Sequence, residues 1–80
     1  MNAQIFEKVR GIAADVLQVA PASLTAESSP QTIETWDSVM HLNLVLALEE
    51  QFGFQLEPEE MEEMKNIGAI AALVERKNGA

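Results

Sequence analysis

Three groups in this chain have side chains suited to chemistry: the triplet Asp37-Ser38-Val39, the single histidine His41, and an acidic cluster of Glu57, Glu59, Glu60, Glu62 and Glu63. The triplet stands where a segment without helical periodicity, residues 20–36, gives way to an apolar run ending near Phe52. A serine hydroxyl at the exposed start of a helix lies among unpaired N–H groups and a partial positive charge, a favourable field for a phosphate joined to that oxygen. The arrangement suits a covalent phosphoester. His41 follows one turn later, and residues at i and i+3 can touch on a helix, so a serine–histidine pair is conceivable. Nothing in the sequence supplies the orienting acid and oxyanion pocket such a pair needs, and the plainer account of His41 is partial burial or simple exposure. The glutamates lack the glycine and alternating oxygen ligands of a calcium-binding loop. No catalytic residue and no metal site are expected.

The elements that must position Ser38 follow from periodicity. Asp37 is a good N-cap, no proline or glycine interrupts the run to Phe52, and Gly53 supplies the position after the helix. At 100° per residue Leu44, Val45, Leu48 and Phe52 share one arc, the core face. Val39, Leu42 and Leu46 fall on a separate arc beside Asn43, Glu49 and Glu50, which one side of a bundle cannot bury along with the first. That second stripe is either covered by the long loop or by the segment after Gly53, or it is a docking surface.

Upstream, Ile5, Val9, Ile12 and Val16, widened by Phe6, Ala13 and Leu17, predict an amphipathic first helix from a cap at Asn2 to about Ala20, where Pro21 stops it. Pro21, Ser23, Thr25, Ser28, Ser29 and Pro30 mark a long loop, pinned to the core by Leu24, Ile33 and Trp36. Downstream, Leu56 precedes Glu57-Pro58-Glu59-Glu60, the start of a short third helix carrying Met61 and Met64. Asn66 caps a fourth helix with Ile67, Ile70, Leu73 and Val74 at helical spacing, ending near Lys77-Asn78-Gly79, its negative end beside Arg76 and Lys77. The expected fold is all-α: a four-helix bundle with three longer helices, a short third helix and a long first loop.

Eighty residues suit one small domain, 1–80, and 48% hydrophobic residues are too many for a disordered segment. With no cysteine, any reactive thiol must come from a cofactor. Thirteen acids against five bases give a formal charge of −8, which repels nucleic acid and anionic lipid and favours basic protein surfaces, besides aiding solubility. The first twenty residues do not read as a signal peptide and no long apolar run could insert into a membrane, so a cytoplasmic monomer is expected.

In Asp37-Ser38-Val39, Leu42, Leu44-Val45-Leu46-Ala47-Leu48-Glu49-Glu50, Phe52-Gly53 and Asn66-Ile67 the chain resembles an acyl carrier protein, and the resemblance covers nearly its whole length. It implies a non-enzymatic carrier. In that family a phosphopantetheinyl transferase moves 4′-phosphopantetheine from coenzyme A to the serine, here Ser38, and the terminal thiol carries an acyl group as a thioester to acyl-loading and acyl-processing enzymes with basic surfaces. Asp37 would help position the transferase's magnesium. Trp36, Val39, Leu42, Asn43, Leu46, Glu49, Glu50 and Ile67 would meet the partners. Where a fatty-acid carrier usually has glycine two places before the aspartate and acids soon after the serine, this chain has Thr35, Trp36, Met40, His41 and Asn43. In this it looks more like carriers of specialised pathways. Two other readings share these features: a helical adaptor without a prosthetic group, binding through Val39, Leu42 and Leu46, and a peptidyl carrier loading an amino acid.

Overall fold

The computed structural model describes residues 3–78. Over them the chain forms α1 (Ala3–Leu17), a 3-10 turn (Pro21–Ser23), α2 (Ser38–Phe52), α3 (Pro58–Glu62) and α4 (Ile67–Asn78), with no strand among the described residues. This is the expected all-α order with a short third helix. Asn2 and Gly79, read as the first cap and the last stop, lie outside the described residues.

α1 ends earlier than expected, at Leu17 rather than near Ala20. The cause is local: Gln18 adopts a left-handed conformation with φ 59°, and the N–H of Val19 donates to the carbonyl of Ala14 at 3.0 Å. That is a Schellman closure, and it ends the helix before Pro21 is reached. Glutamine has a Cβ that crowds the backbone at this φ, whereas glycine does not. Gln18→Gly is therefore expected to stabilise the fold by about 0.5–1 kcal/mol, read from urea unfolding. An unchanged or lower midpoint would contradict this account of the α1 terminus.

The core is assembled from Val9, Ala13, Ala14 and Leu17 of α1, Leu44, Val45 and Leu48 of α2, and Ile67, Ile70, Ala71, Leu73 and Val74 of α4. Leu24 and Trp36 close it from the loop, Leu56 and Met64 from either side of α3. α1 packs on both α2 and α4.

What positions the start of α2 is the way the long loop is fastened at both ends. The first amides of α4 donate to loop carbonyls, Ile67 to Ser28 at 3.0 Å and Gly68 to Ala26 at 2.8 Å, while Asn66 caps the same helix by accepting from the N–H of Ala69 at 2.7 Å. A Cβ on Gly68 would lie 3.1 Å from both the Cβ and the carbonyl oxygen of Ala26, so the absence of a side chain there permits the close approach. At the other end the hydroxyl of Thr35 donates to the carbonyl of Leu17 at 2.8 Å, tying the residue before Trp36 to the end of α1. A loop with buried anchors and paired backbone groups is a rigid mount.

α3 is held to α4 through Glu60. Its carboxylate accepts from the N–H of Glu57 at 2.8 Å and from Lys77 Nζ at 2.9 and 3.0 Å, and Lys77 also lies 5.7 Å from the Phe54 ring centroid. The Glu57 amide, followed by Lys77, holds the Glu60 carboxyl below its ordinary value of 4.5. A carboxyl lowered on folding stabilises the fold above its unfolded-state value and loses that contribution as the pH falls through its folded-state value. Stability is thus expected to drop on acidification below about pH 4.5, and Glu60→Gln to flatten that drop, as measured by melting temperature against pH. Identical acid limbs in the two proteins would contradict the assignment.

Candidate functional site

Asp37 precedes α2 in an extended conformation, and its Oδ1 accepts from the N–H of Met40 at 2.9 Å. The N–H of Asp37 donates to the carbonyl of Thr35 at 3.1 Å, and the N–H of His41 to the carbonyl of Asp37 at 2.8 Å. Of the orphan amides at a helix start, those of Ser38 and Val39 then remain as outward donors. Ser38, the first residue of the helix, is exposed, with its hydroxyl at the positive end of a fifteen-residue α-helix.

Beside Ser38 the surface is concave. Pro30, Trp36, Asp37, Ser38 and His41 line a depression of about 430 Å³. Its floor is organised by one side-chain pair: Trp36 Nε1–H donates to His41 Nδ1 at 3.0 Å, and the two rings lie nearly parallel, with centroids 6.1 Å apart and planes inclined by 17°. Among the described residues no hydrogen bond joins His41 to Ser38, so the conceivable serine–histidine pair is not assembled. His41 serves the tryptophan instead.

The second stripe on α2 lies open. Val39 is 64% exposed, Leu42 56% and Leu46 55%, the exposed large apolar residues of the described chain, with Asn43 and Glu50 exposed next to them. Neither the long loop nor the segment after Gly53 covers them.

Three residues expected on the partner face sit differently. Ile67 is fully buried at the start of α4, because the amide ladder to Ser28 and Ala26 draws that end of the helix under the loop. Trp36 is only 3% exposed, its indole wedged into the core with the N–H turned to His41. Glu49 is half-buried, and its Oε2 accepts from the N–H of Leu56 at 2.8 Å, clamping the segment after Gly53 back onto α2. Of the residues expected there, Val39, Leu42, Asn43, Leu46 and Glu50 are the exposed ones on α2. The Trp36–His41 pair and the Glu49–Leu56 clamp were not anticipated. The first had a signal, an indole and an imidazole five residues apart across a helix start. The second is a side chain reaching a backbone amide beyond a turn, which no pattern of residue types announces.

Among the described residues no cluster of histidine, cysteine, aspartate or glutamate could hold a metal ion, and no helix is long and apolar enough to cross a membrane. An exposed hydroxyl, outward amides and an adjoining hollow do fit a phosphate ester at Ser38, and the hollow leaves room for a substituent beyond the phosphate.

Comparison with known proteins agrees with this chemistry. A family model described as a phosphopantetheine attachment site matches residues 7–74. An acyl carrier protein of Thermosynechococcus vestitus is 35% identical over 79 residues, which cover 99% of this chain and 98% of that protein. One from a Picosynechococcus species is 31% identical over 80 residues, covering 100% and 99%. Among solved structures, the holo acyl carrier protein from Geobacter metallireducens superposes with a TM-score of 0.83 at 31% identity, over 92% of this chain and 85% of that one. The holo acyl carrier protein from Nitrosomonas europaea gives 0.83 at 34% identity, over 96% and 99%.

Proposed function

The chain belongs to the acyl carrier protein family, a family of non-catalytic carriers with covalently attached 4′-phosphopantetheine, and on that premise we propose that Ser38 is the residue that bears the group and that α2 presents its cargo to partner enzymes. The observation that carries the reading is the exposed Ser38 hydroxyl at the capped start of α2, beside the hollow of Pro30, Trp36 and His41. A phosphopantetheinyl transferase delivers the group from coenzyme A: the Ser38 oxygen bonds to the pantetheine-bearing phosphorus and gives up its proton, while the pyrophosphate bond breaks and adenosine 3′,5′-bisphosphate leaves. Once bound, the group supplies a flexible arm and a terminal thiol on which an acyl chain is held as a thioester.

The rest is done by this chain's own residues. Asp37 holds the helix start open by capping Met40, so the Ser38 and Val39 amides face the new negative charge. Its carboxylate, exposed beside Ser38, is also placed to steady the transferase's magnesium. The loop anchors keep that start in one place, so a partner meets the arm at a fixed root. A tethered cargo has a high effective concentration at whichever active site the folded domain docks against. Val39, Leu42 and Leu46 supply the apolar contact, and Glu50 together with the net charge of −8 supplies attraction toward basic surfaces. Weak, salt-sensitive docking suits a carrier that must leave one enzyme for the next.

Residues 1–80 act as a single cytoplasmic domain in this reading, working as a monomer with soluble enzymes rather than with nucleic acid or lipid. The Trp36–His41 pair and the absence of acids at Met40, His41 and Asn43 favour a specialised acyl pathway over housekeeping fatty-acid synthesis. Incubation with a transferase and coenzyme A tests the reading. The intact mass is expected to rise by one phosphopantetheine, and an unmodified product, under conditions that modify a control carrier, would overturn it.

A further inference from the structure

His41 has a fixed role in the structure that the attachment chemistry alone does not require. The indole N–H of Trp36 is only ever a donor, so His41 Nδ1, 3.0 Å away, is the acceptor and carries no proton. The neutral ring then has its proton on Nε2. Trp36 is only 3% exposed and held by the core, so the tautomer is set by a rigid neighbour rather than by solvent. Side chains on a helix lean toward its N-terminus, over the preceding turn, and the turn before His41 begins at Ser38. Both residues line the same hollow. Among the described residues the ring makes no hydrogen bond other than the one from Trp36. The lining holds no lysine or arginine, and its one formal charge is the Asp37 carboxylate, so a phosphodiester at Ser38 would have an anion beside it and no cation.

We propose that His41 is a positioning residue for the phosphodiester at Ser38, donating from Nε2–H to one of its unesterified oxygens while Trp36 locks the ring in the donating tautomer. This rests on Ser38 being the attachment residue. The contact pins the root of the arm over the hollow, so that the arm leaves the domain in a restricted direction instead of swinging freely from the helix start.

The test is phosphorus NMR of the loaded protein in three forms, wild type, His41→Gln and His41→Phe, with complete loading verified by intact mass and folding by circular dichroism. Glutamine keeps an N–H donor and phenylalanine keeps a ring without one. In wild type the phosphorus resonance is expected to lie away from its position in the same loaded chain unfolded in urea. His41→Gln should retain part of that displacement, and His41→Phe should lose most of it. The Nε2–H proton of wild type should also move downfield on loading. A resonance at one frequency in folded wild type and His41→Phe would overturn the proposal. Failure of the underlying assignment reads differently: Ser38→Ala would still gain the phosphopantetheine mass, and His41 would then have no phosphate beside it.

Discussion

Ser38→Ala is expected to abolish loading completely while leaving the fold as stable as before. The hydroxyl oxygen is the only heavy atom the substitution removes, Ser38 is exposed, and the cap of α2 is made by Asp37 rather than by Ser38. Exposed substitutions away from caps and buried networks change stability by no more than about 0.5 kcal/mol. The two readouts therefore separate: intact mass after incubation with a transferase and coenzyme A falls from one added group to none, and the urea midpoint stays in place. Asp37→Ala behaves differently, since losing an N-cap costs about 1 kcal/mol in addition to any effect on loading. If Ser38→Ala were still loaded, the hydroxyl at the helix start would not be the reactive one, and the reading of α2 would fail with it.

The second large effect falls on the open stripe. Leu46→Glu places a charge where the chain now exposes an apolar side chain, so the free protein loses little or no stability. A partner that desolvates Leu46 loses a central apolar contact and gains a buried charge. Truncating such central residues costs about 2 kcal/mol or more, a fall of roughly 30-fold in affinity. The expected result is a loaded carrier whose acyl group is passed on with a kcat/KM reduced by about that factor, with Leu42→Glu behaving alike. Transfer at the wild-type rate would show that partners dock elsewhere. The helical adaptor parts from the carrier at Ser38, because there Leu46→Glu destroys function while Ser38→Ala leaves it intact.

Much of this arrangement is visible in the sequence because it depends on short-range rules. Asp37 and Gly53 bound α2 as their types require, Asn66 caps α4, and the arc of Leu44, Val45 and Leu48 is the buried one. The separation of Val39, Leu42 and Leu46 onto another arc is legible too, but whether the loop covers them is not, and the structure leaves them exposed. Expectation and structure part where a distant contact decides. Gln18 ends α1 in a conformation that glutamine does not advertise, so the stop was assigned to Pro21. Ile67 was placed on the partner face by resemblance, although its own spacing with Ile70, Leu73 and Val74 marks it as core, where it lies. Glu49 looked like a surface acid because nothing in a linear pattern reveals that its carboxylate meets the N–H of Leu56. The Trp36–His41 bond likewise joins a loop residue to a helix residue, and its geometry exists only once the loop is fastened at Thr35 and Ser28.

The central claim, that one alcohol at the start of α2 takes the phosphopantetheine, is tested most directly by fragmenting the loaded wild-type protein and locating the added mass residue by residue. The account predicts the mass on Ser38 alone. Finding it on Ser23, Ser28, Ser29 or any other residue, with Ser38 unmodified, would contradict it.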